Sequence, residues 1–227
     1  TANSVDIKSM HNKVSQKQWD DDVKRMNIAL ESSGFHSSII EIYSPKRVTA
    51  MAETMNLLPG IALDLTGNDI DGKPWDFNDP EKREKARKLV KNKEALLLIG
   101  SPMCSAFSSI QNINFSRMSP EEVDKVKAYG RKHLEFCAEL YQEQINNGMY
   151  FLHEHPHEAS SWNEECIQKL FNQKGVQKIK SHMCAFGMQD PSAQYYYKPT
   201  SLLHNLKPEL IAPVFKHCPG GSEKHVH

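Results

Sequence analysis

The stretch Glu94-Ala95-Leu96-Leu97-Leu98-Ile99-Gly100-Ser101-Pro102-Met103-Cys104-Ser105-Ala106-Phe107-Ser108 constrains this chain more than any other. Its apolar run has the length of one strand and no polar alternation, the pattern of a strand buried on both faces of a parallel sheet. The run stops abruptly at Gly100-Ser101-Pro102 and delivers Cys104 into a tight loop. In open α/β sheets ligands bind just outside the carboxyl ends of such strands, so this thiol is a candidate nucleophile. A loop end beside a helix N-terminus is expected to lower its pKa.

Strand and helix signals alternate over the rest of the chain. Ser15 to Gly34 reads as an amphipathic helix capped by Ser15, with Trp19, Val23, Met26 and Leu30 on one face. Ser38 to Ser44 reads as a strand closed by Pro45, Lys46 to Leu58 as a helix stopped by Pro59-Gly60, and Ile61 to Leu65 as a second strand. Asp79-Pro80 opens a helix running to Lys93. Ser119 and Glu122 form a capping-box start for a helix that ends at Asn147-Gly148. Met149 to Leu152 reads as a fourth buried strand, followed by a helix over about 163–172 and β-like segments near 176–183 and 194–203. This order predicts an α/β fold: a Rossmann-like, doubly wound, mostly parallel sheet flanked by helices. The domain is expected over 39–227, with residues 1–38 as an N-terminal helical extension.

Composition narrows the function classes. Lys plus Arg and Asp plus Glu both number 28, so bulk charge does not announce a nucleic-acid partner, although a local basic stripe remains open. There is no apolar run of about 20 residues, so no membrane span is expected. Five cysteines without framework spacing point to reduced thiols and an intracellular setting. Cys137 and Cys166 fall within helical patterns and read as packing residues. No phosphate-binding glycine motif occurs, which leaves a kinase or ATPase unsupported. A chain beginning at Thr1 is also consistent with an excised piece of a longer protein.

If the strands lie parallel, their carboxyl ends present Ser44, Asp64, Cys104 and Glu154 along one rim. Asp64, after the second strand, is placed to accept hydrogen bonds from ribose hydroxyls; its alternative is a loop or cap carboxylate. Trp75-Asp76-Phe77 offers an aromatic and a carboxylate for an adenine, or two aromatics that close a small satellite core. Glu154 follows an apolar run, and partial burial would raise its pKa towards proton donation. A nucleophilic thiol and a proton-donating carboxyl on neighbouring strand tips suit addition to an electron-poor ring. His153, His155 and His157 alternate as metal ligands on a strand would, but Pro156 breaks the run. His217, Cys218, His225 and His227 lack a recognised zinc spacing, so no metal site is expected from the sequence. Tyr195, Tyr196, Tyr197 and Lys198 form an aromatic and basic run suited to stacking on a nucleic-acid strand.

Gly100-Ser101-Pro102-Met103-Cys104-Ser105-Ala106-Phe107-Ser108 resembles the catalytic loop of the cytosine-C5 methyltransferases, usually Gly-x-Pro-Pro-Cys-x-x-Phe-Ser. His153-Glu154-His155-Pro156 resembles that family's Glu-Asn-Val or Glu-Asn-Pro motif. The stretch from Cys184 to Met188 with Gln194 to Thr200 resembles its later Tyr-Gly segment and basic strand. The likeness runs in order over about residues 39–206 and is nearest to compact phage-type or retroelement-embedded members. It implies S-adenosylmethionine as cofactor, held by Glu41, Tyr43, Ser44, Asp64, Trp75, Asp76, Ser101 and Pro102. It implies a nucleic-acid substrate, DNA before RNA, with Cys104 adding to cytosine C6, Glu154 protonating N3 and Lys198 steadying the base or phosphate. In a duplex the base would have to be flipped out. The chain departs from the pattern at Ser44-Pro45-Lys46-Arg47, which replaces the glycine-rich first turn, and at Tyr196-Tyr197-Lys198, which replaces paired arginines. These departures support an alternative: a degenerate domain that binds nucleic acid or a protein partner without catalysis. A third reading is a thiol hydrolase pairing Cys104 with His153 or His155.

Overall fold

In the computed structural model, the described residues are 15–92, 94–221, 225 and 227. The expected extension over residues 1–14 and the expected helix end at Lys93 lie outside them. Helix α1 spans Gln16–Ser32, β1 Ser37–Ile42, α2 Val48–Thr54, β2 Ile61–Leu63, α3 Pro80–Lys91 and β3 Ala95–Gly100. Then come α4 Gln111–Phe115, α5 Pro120–Asn146, β4 Tyr150–Pro156, α6 Glu165–Phe171, β5 Gln177–His182, β6 Pro199–His204 and α7 Pro208–Ile211. The six strands form one sheet in the order β2-β1-β3-β4-β6-β5. Strands β1 to β4 are mutually parallel, and β6 runs antiparallel to both β4 and β5. The Rossmann-like, mostly parallel α/β sheet with an N-terminal helix is therefore what the chain forms.

Capping chemistry sets the helix starts where the sequence put them. Ser15 accepts from the Gln18 amide, Asp79 from Glu81, and Ser119 from Glu122, whose carboxylate returns to the Ser119 amide. Val23 and Leu30 of α1 are buried, and Leu30 meets Phe35 and Leu58 in a small cluster at the sheet margin. Met26 is 41% exposed and lies off the packed face.

The main core joins Ile40, Ile42, Leu63, Leu98 and Phe151 of the sheet to Leu134, Cys137 and Tyr141 of α5. Cys137 is a packing residue in that core, and the half-buried Cys166 packs against it. Gly100 lets α5 approach the end of β3, since the Tyr141 hydroxyl occupies the space a Cβ would need. Trp75 and Phe77 belong to this main core rather than to a satellite.

Several boundaries differ from expectation. β4 continues through His153-Glu154-His155 to Pro156, because both histidines are buried and the strand stays paired with β6. The helix expected over Lys46 to Leu58 shortens to seven residues. The one expected over about 163–172 forms as α6 from Glu165, with a separate 3-10 turn, Ser160–Asn163, ahead of it. The segment from Gln194 to Lys198 is not part of a strand of the sheet, and β6 begins only at Pro199. Among the described residues no helix is long and apolar enough to cross a membrane.

Candidate functional site

The chain switches direction across the sheet between β1 and β3, since β2 lies on one side of β1 and β3 on the other. Ligands of doubly wound sheets bind at such a switch, outside the strand carboxyl ends. A cleft of about 180 Å³ lies there, lined in part by Tyr43, Asp64, Trp75, Asp76, Ser101 and Met103. It falls below the ~300 Å³ of a typical small-molecule pocket, so it takes part of a ligand rather than a whole one.

The loop after β2 brings Asp64, Trp75 and Asp76 to the same cleft. It is closed by a bridge between Asn68 and Pro74 and held from α3, where the buried Lys82 ammonium reaches Asp69 and Asp71 at 2.8 Å each. Asp64 uses Oδ1 to accept from the amide and hydroxyl of Thr66, and Asp76 uses Oδ1 to accept from the amide of Asn78. Neither Oδ2 has a partner among the described residues, so each carboxylate keeps one acceptor oxygen. Trp75 is nearly buried and forms wall rather than a free stacking face.

Tyr43 holds a left-handed backbone conformation, with φ of 57°, at the end of β1. Its ring lies 4.9 Å from Phe77, and its hydroxyl is 2.7 Å from Nδ1 of His133. Burial pushes the Tyr43 phenol well up, so it stays protonated. Burial also holds His133 down to about 4, with the nearby Arg83 charge adding to the effect. The pair is a neutral hydrogen bond at neutral pH.

Cys104 lies just beyond β3, ahead of the 3-10 turn Ser105–Phe107. Its thiol pKa is raised, contrary to the sequence expectation. Burial is the main cause and the Glu154 carboxylate adds to it, while the Lys198 ammonium pulls the other way. A single 3-10 turn is too short to offset half-burial.

Glu154 sits within β4, its side chain 29% exposed, and its carboxylate lies 3.8 Å from Lys198 Nζ. The reversed direction of β6 explains the meeting. An antiparallel neighbour starts where β4 ends, so Lys198, immediately before β6, arrives at the same rim. The three residues expected to be catalytic therefore share one electrostatic neighbourhood.

By strand alternation His153 and His155 face away from Glu154. His155 Nε2 donates to the Pro102 carbonyl at 2.9 Å, because a carbonyl only accepts. Its Nδ1 then accepts from the Ser161 hydroxyl at 2.6 Å. Burial holds this imidazole down to about 4. His155 thus ties the Cys104 loop to β4, and neither of its nitrogens is free for a thiol. Burial keeps His153 neutral as well, with its Nδ1 3.2 Å from the Tyr141 hydroxyl. His157 turns to Ser201 Oγ at 2.7 Å, so the three imidazoles do not converge on one point. A Cys104–His155 dyad is excluded by this bonding.

Glu41, expected at the cofactor, is 1% exposed and engaged locally. It accepts from the Arg47 amide and from both the amide and hydroxyl of Thr49, and Ser44 donates to its other oxygen. This carboxylate anchors the start of α2 in place of a side-chain cap, and Ser44 serves it. Pro102 is buried and contributes its carbonyl to His155. Tyr129 and His133 of α5 also line the cleft, and the sequence reading missed them. Their spacing of four residues, which places two polar aromatics on one helix face, was the available signal. No protein-family model matches the chain, and no curated protein matches it in sequence.

Proposed function

We propose that this domain is an S-adenosylmethionine-dependent methyltransferase acting on C5 of cytosine in nucleic acid, DNA before RNA, through a Cys104 adduct. The observation that carries the reading is the gathering of Cys104, Glu154 and Lys198 at the carboxyl-end rim of the sheet, with Cys104 in the same loop after β3 whose Ser101 and Met103 line the switch-point cleft. The open oxygens of Asp64 and Asp76 suit ribose hydroxyls and an adenine amino group, with Tyr43 and Ser101 as further walls. Glu41 and Ser44 are committed to α2, so the amino-acid tail of the cofactor must rely on other groups. When bound, S-adenosylmethionine supplies an electrophilic methyl group.

The protein's own part is to make C5 nucleophilic. The Cys104 sulfur bonds to C6 as its proton passes to the Glu154 carboxylate, and Glu154 delivers a proton to N3. The C5–C6 π electrons no longer belong to an aromatic ring, and C5 becomes an enamine carbon able to take a methyl group. Loss of the C5 proton to a base, return of the N3 proton to Glu154 and expulsion of the thiolate then restore the ring. Lys198 stabilises the negative charge that sulfur carries during attack and on release. His155 is a positioning residue, since it fixes the Pro102 carbonyl two residues before the nucleophile.

A second reading is favoured by one observation: Tyr196 and Tyr197 are 57% and 53% exposed beside Lys198. They suit a domain that stacks on a nucleic-acid strand without chemistry. Calorimetric titration with S-adenosylmethionine and S-adenosylhomocysteine separates the two. Micromolar binding that weakens in Asp64→Ala supports the methyltransferase. Absence of binding by folded protein, with and without nucleic acid, rejects it in favour of the binding domain.

A further inference from the structure

At the β5 end of the sheet, two segments distant in the chain meet beside the segment that carries Lys198. We propose that Cys184, Cys218, His225 and His227 form a tetrahedral zinc site, structural in role. One ligand atom from each lies within 4.8 Å of the other three. Cys218 Sγ is 3.5 Å from His225 Nε2 and 3.1 Å from His227 Nε2. A tetrahedron with zinc–sulfur and zinc–nitrogen bonds of about 2.3 and 2.0 Å has edges of about 3.3–3.8 Å, so the donors already stand near their final spacing. Two thiolates and two neutral imidazoles balance the charge of a divalent ion, and this soft and borderline set suits zinc.

The surroundings are those of a metal site. His227 Nδ1 donates to the Tyr195 carbonyl at 3.2 Å, which leaves the lone pair on Nε2, the nitrogen that faces Cys218. A second hydrogen bond of this kind fixes the tautomer of ligating imidazoles. The His225 ring is stacked on Tyr195 at 4.1 Å. The Gly220 amide donates to Cys218 Sγ at 3.4 Å, and the Cys218 amide donates to His182 Nδ1 at 2.8 Å. Cys184 is 2% exposed at the base of the cluster, beside an open cavity of about 420 Å³ through which an ion can enter. A disulfide between the two cysteines would leave the convergence of both Nε2 atoms on one sulfur without a purpose.

Zinc here would join the turn after β5, the segment around Cys218 and the residues at 225 and 227. Tyr195 touches both histidine ligands, and the Lys198 carbonyl accepts from the Met183 amide next to Cys184. The ion would therefore hold the Tyr195–Lys198 segment against the sheet. The site stands independently of the methyltransferase reading.

The test uses the full chain, purified in reducing buffer, stripped by a chelator and reloaded with zinc or cobalt(II) alone. One zinc per chain is expected. Cobalt should give visible bands of tetrahedral intensity and a thiolate-to-cobalt charge-transfer band. Cys218→Ser should lower that band, and Cys104→Ser should leave it unchanged. In the wild-type chain, bound zinc should protect Cys184 and Cys218 from maleimide labelling while Cys104 still reacts, and chelation should expose both. The last readout needs no variant and holds even if Cys218→Ser fails to fold. A cobalt spectrum without thiolate charge transfer overturns the proposal. So does equal labelling of Cys184 and Cys218 with and without zinc, or a Cys184–Cys218 disulfide in the reduced preparation.

Discussion

Replacing Gly100 by alanine tests how the end of β3 is built. An added Cβ would lie 1.9 Å from the Tyr141 hydroxyl oxygen, 2.9 Å from its Cζ and 3.1 Å from Ile42 Cγ2. Tyr141 cannot step aside, being fully buried, stacked on Phe151 at 4.9 Å and bonded to His153. Overpacking of this kind costs about 1–3 kcal/mol. Loss of the Tyr141–His153 bond adds about 1 kcal/mol, for a total of about 2–4 kcal/mol. In a domain of this length each kcal/mol lowers the melting temperature by about 2–4 °C, so Gly100→Ala should melt about 10 °C lower. Calorimetry or circular dichroism reads that shift. Tyr141→Phe alone should be mildly destabilising, since it too loses the bond to His153. Added to Gly100→Ala it should raise the melting temperature, because it removes the oxygen that the methyl strikes. A Gly100→Ala protein as stable as the wild type, or one made worse by Tyr141→Phe, would refute the reasoning.

Three further outcomes follow from the same geometry. His155 is held down to about 4 by burial, against about 6.5 when unfolded, so its contribution is complete above pH 6.5 and is lost as pH falls towards 4. At pH 5 this amounts to about 2 kcal/mol, with His133 acting in the same direction; urea unfolding at pH 7 and pH 5 should show the loss, and equal stability would contradict it. Glu154→Gln should speed alkylation of Cys104 at mildly alkaline pH and Lys198→Met should slow it, read by peptide mass spectrometry; unchanged rates would separate the three residues. Glu41→Ala should cost about 2–4 kcal/mol by stripping the Arg47 and Thr49 amides of their acceptor, and a melting temperature equal to wild type would remove the anchor role.

What was legible in the sequence was local. Ser15, Asp79 and Ser119 marked helix starts correctly because a cap is a bond between a side chain and an amide a few residues away. The apolar run at Leu96 to Ile99 marks a central strand, in which Leu98 is buried and Leu96, Leu97 and Ile99 are half-buried. Strand direction leaves no such mark. The antiparallel placement of β6 between β4 and β5, and the meeting of Lys198 with Glu154 that follows from it, depend on long-range pairing. The expected strand stops at Leu152 because His153 and His155 are polar and end the apolar run, whereas tertiary bonding to Tyr141, Ser161 and Pro102 makes them interior. Asp64, Trp75 and Asp76 do line one cleft, whereas Glu41 is bonded to the start of α2, since a carboxylate near a strand end serves a ligand or a neighbouring helix equally well. Cys184 stands far from Cys218 in the chain, and only the fold brings the two together.

The central claim is that Cys104 adds covalently to a cytosine ring at this rim. The most direct measurement incubates the full chain with S-adenosylmethionine and DNA containing 5-fluorocytosine, whose C5–F bond cannot be lost as a proton is. The account predicts a denaturation-stable protein–DNA adduct that maps to the Cys104 peptide and disappears in Cys104→Ala. Folded protein that forms no adduct with either DNA or RNA bearing this base would contradict it.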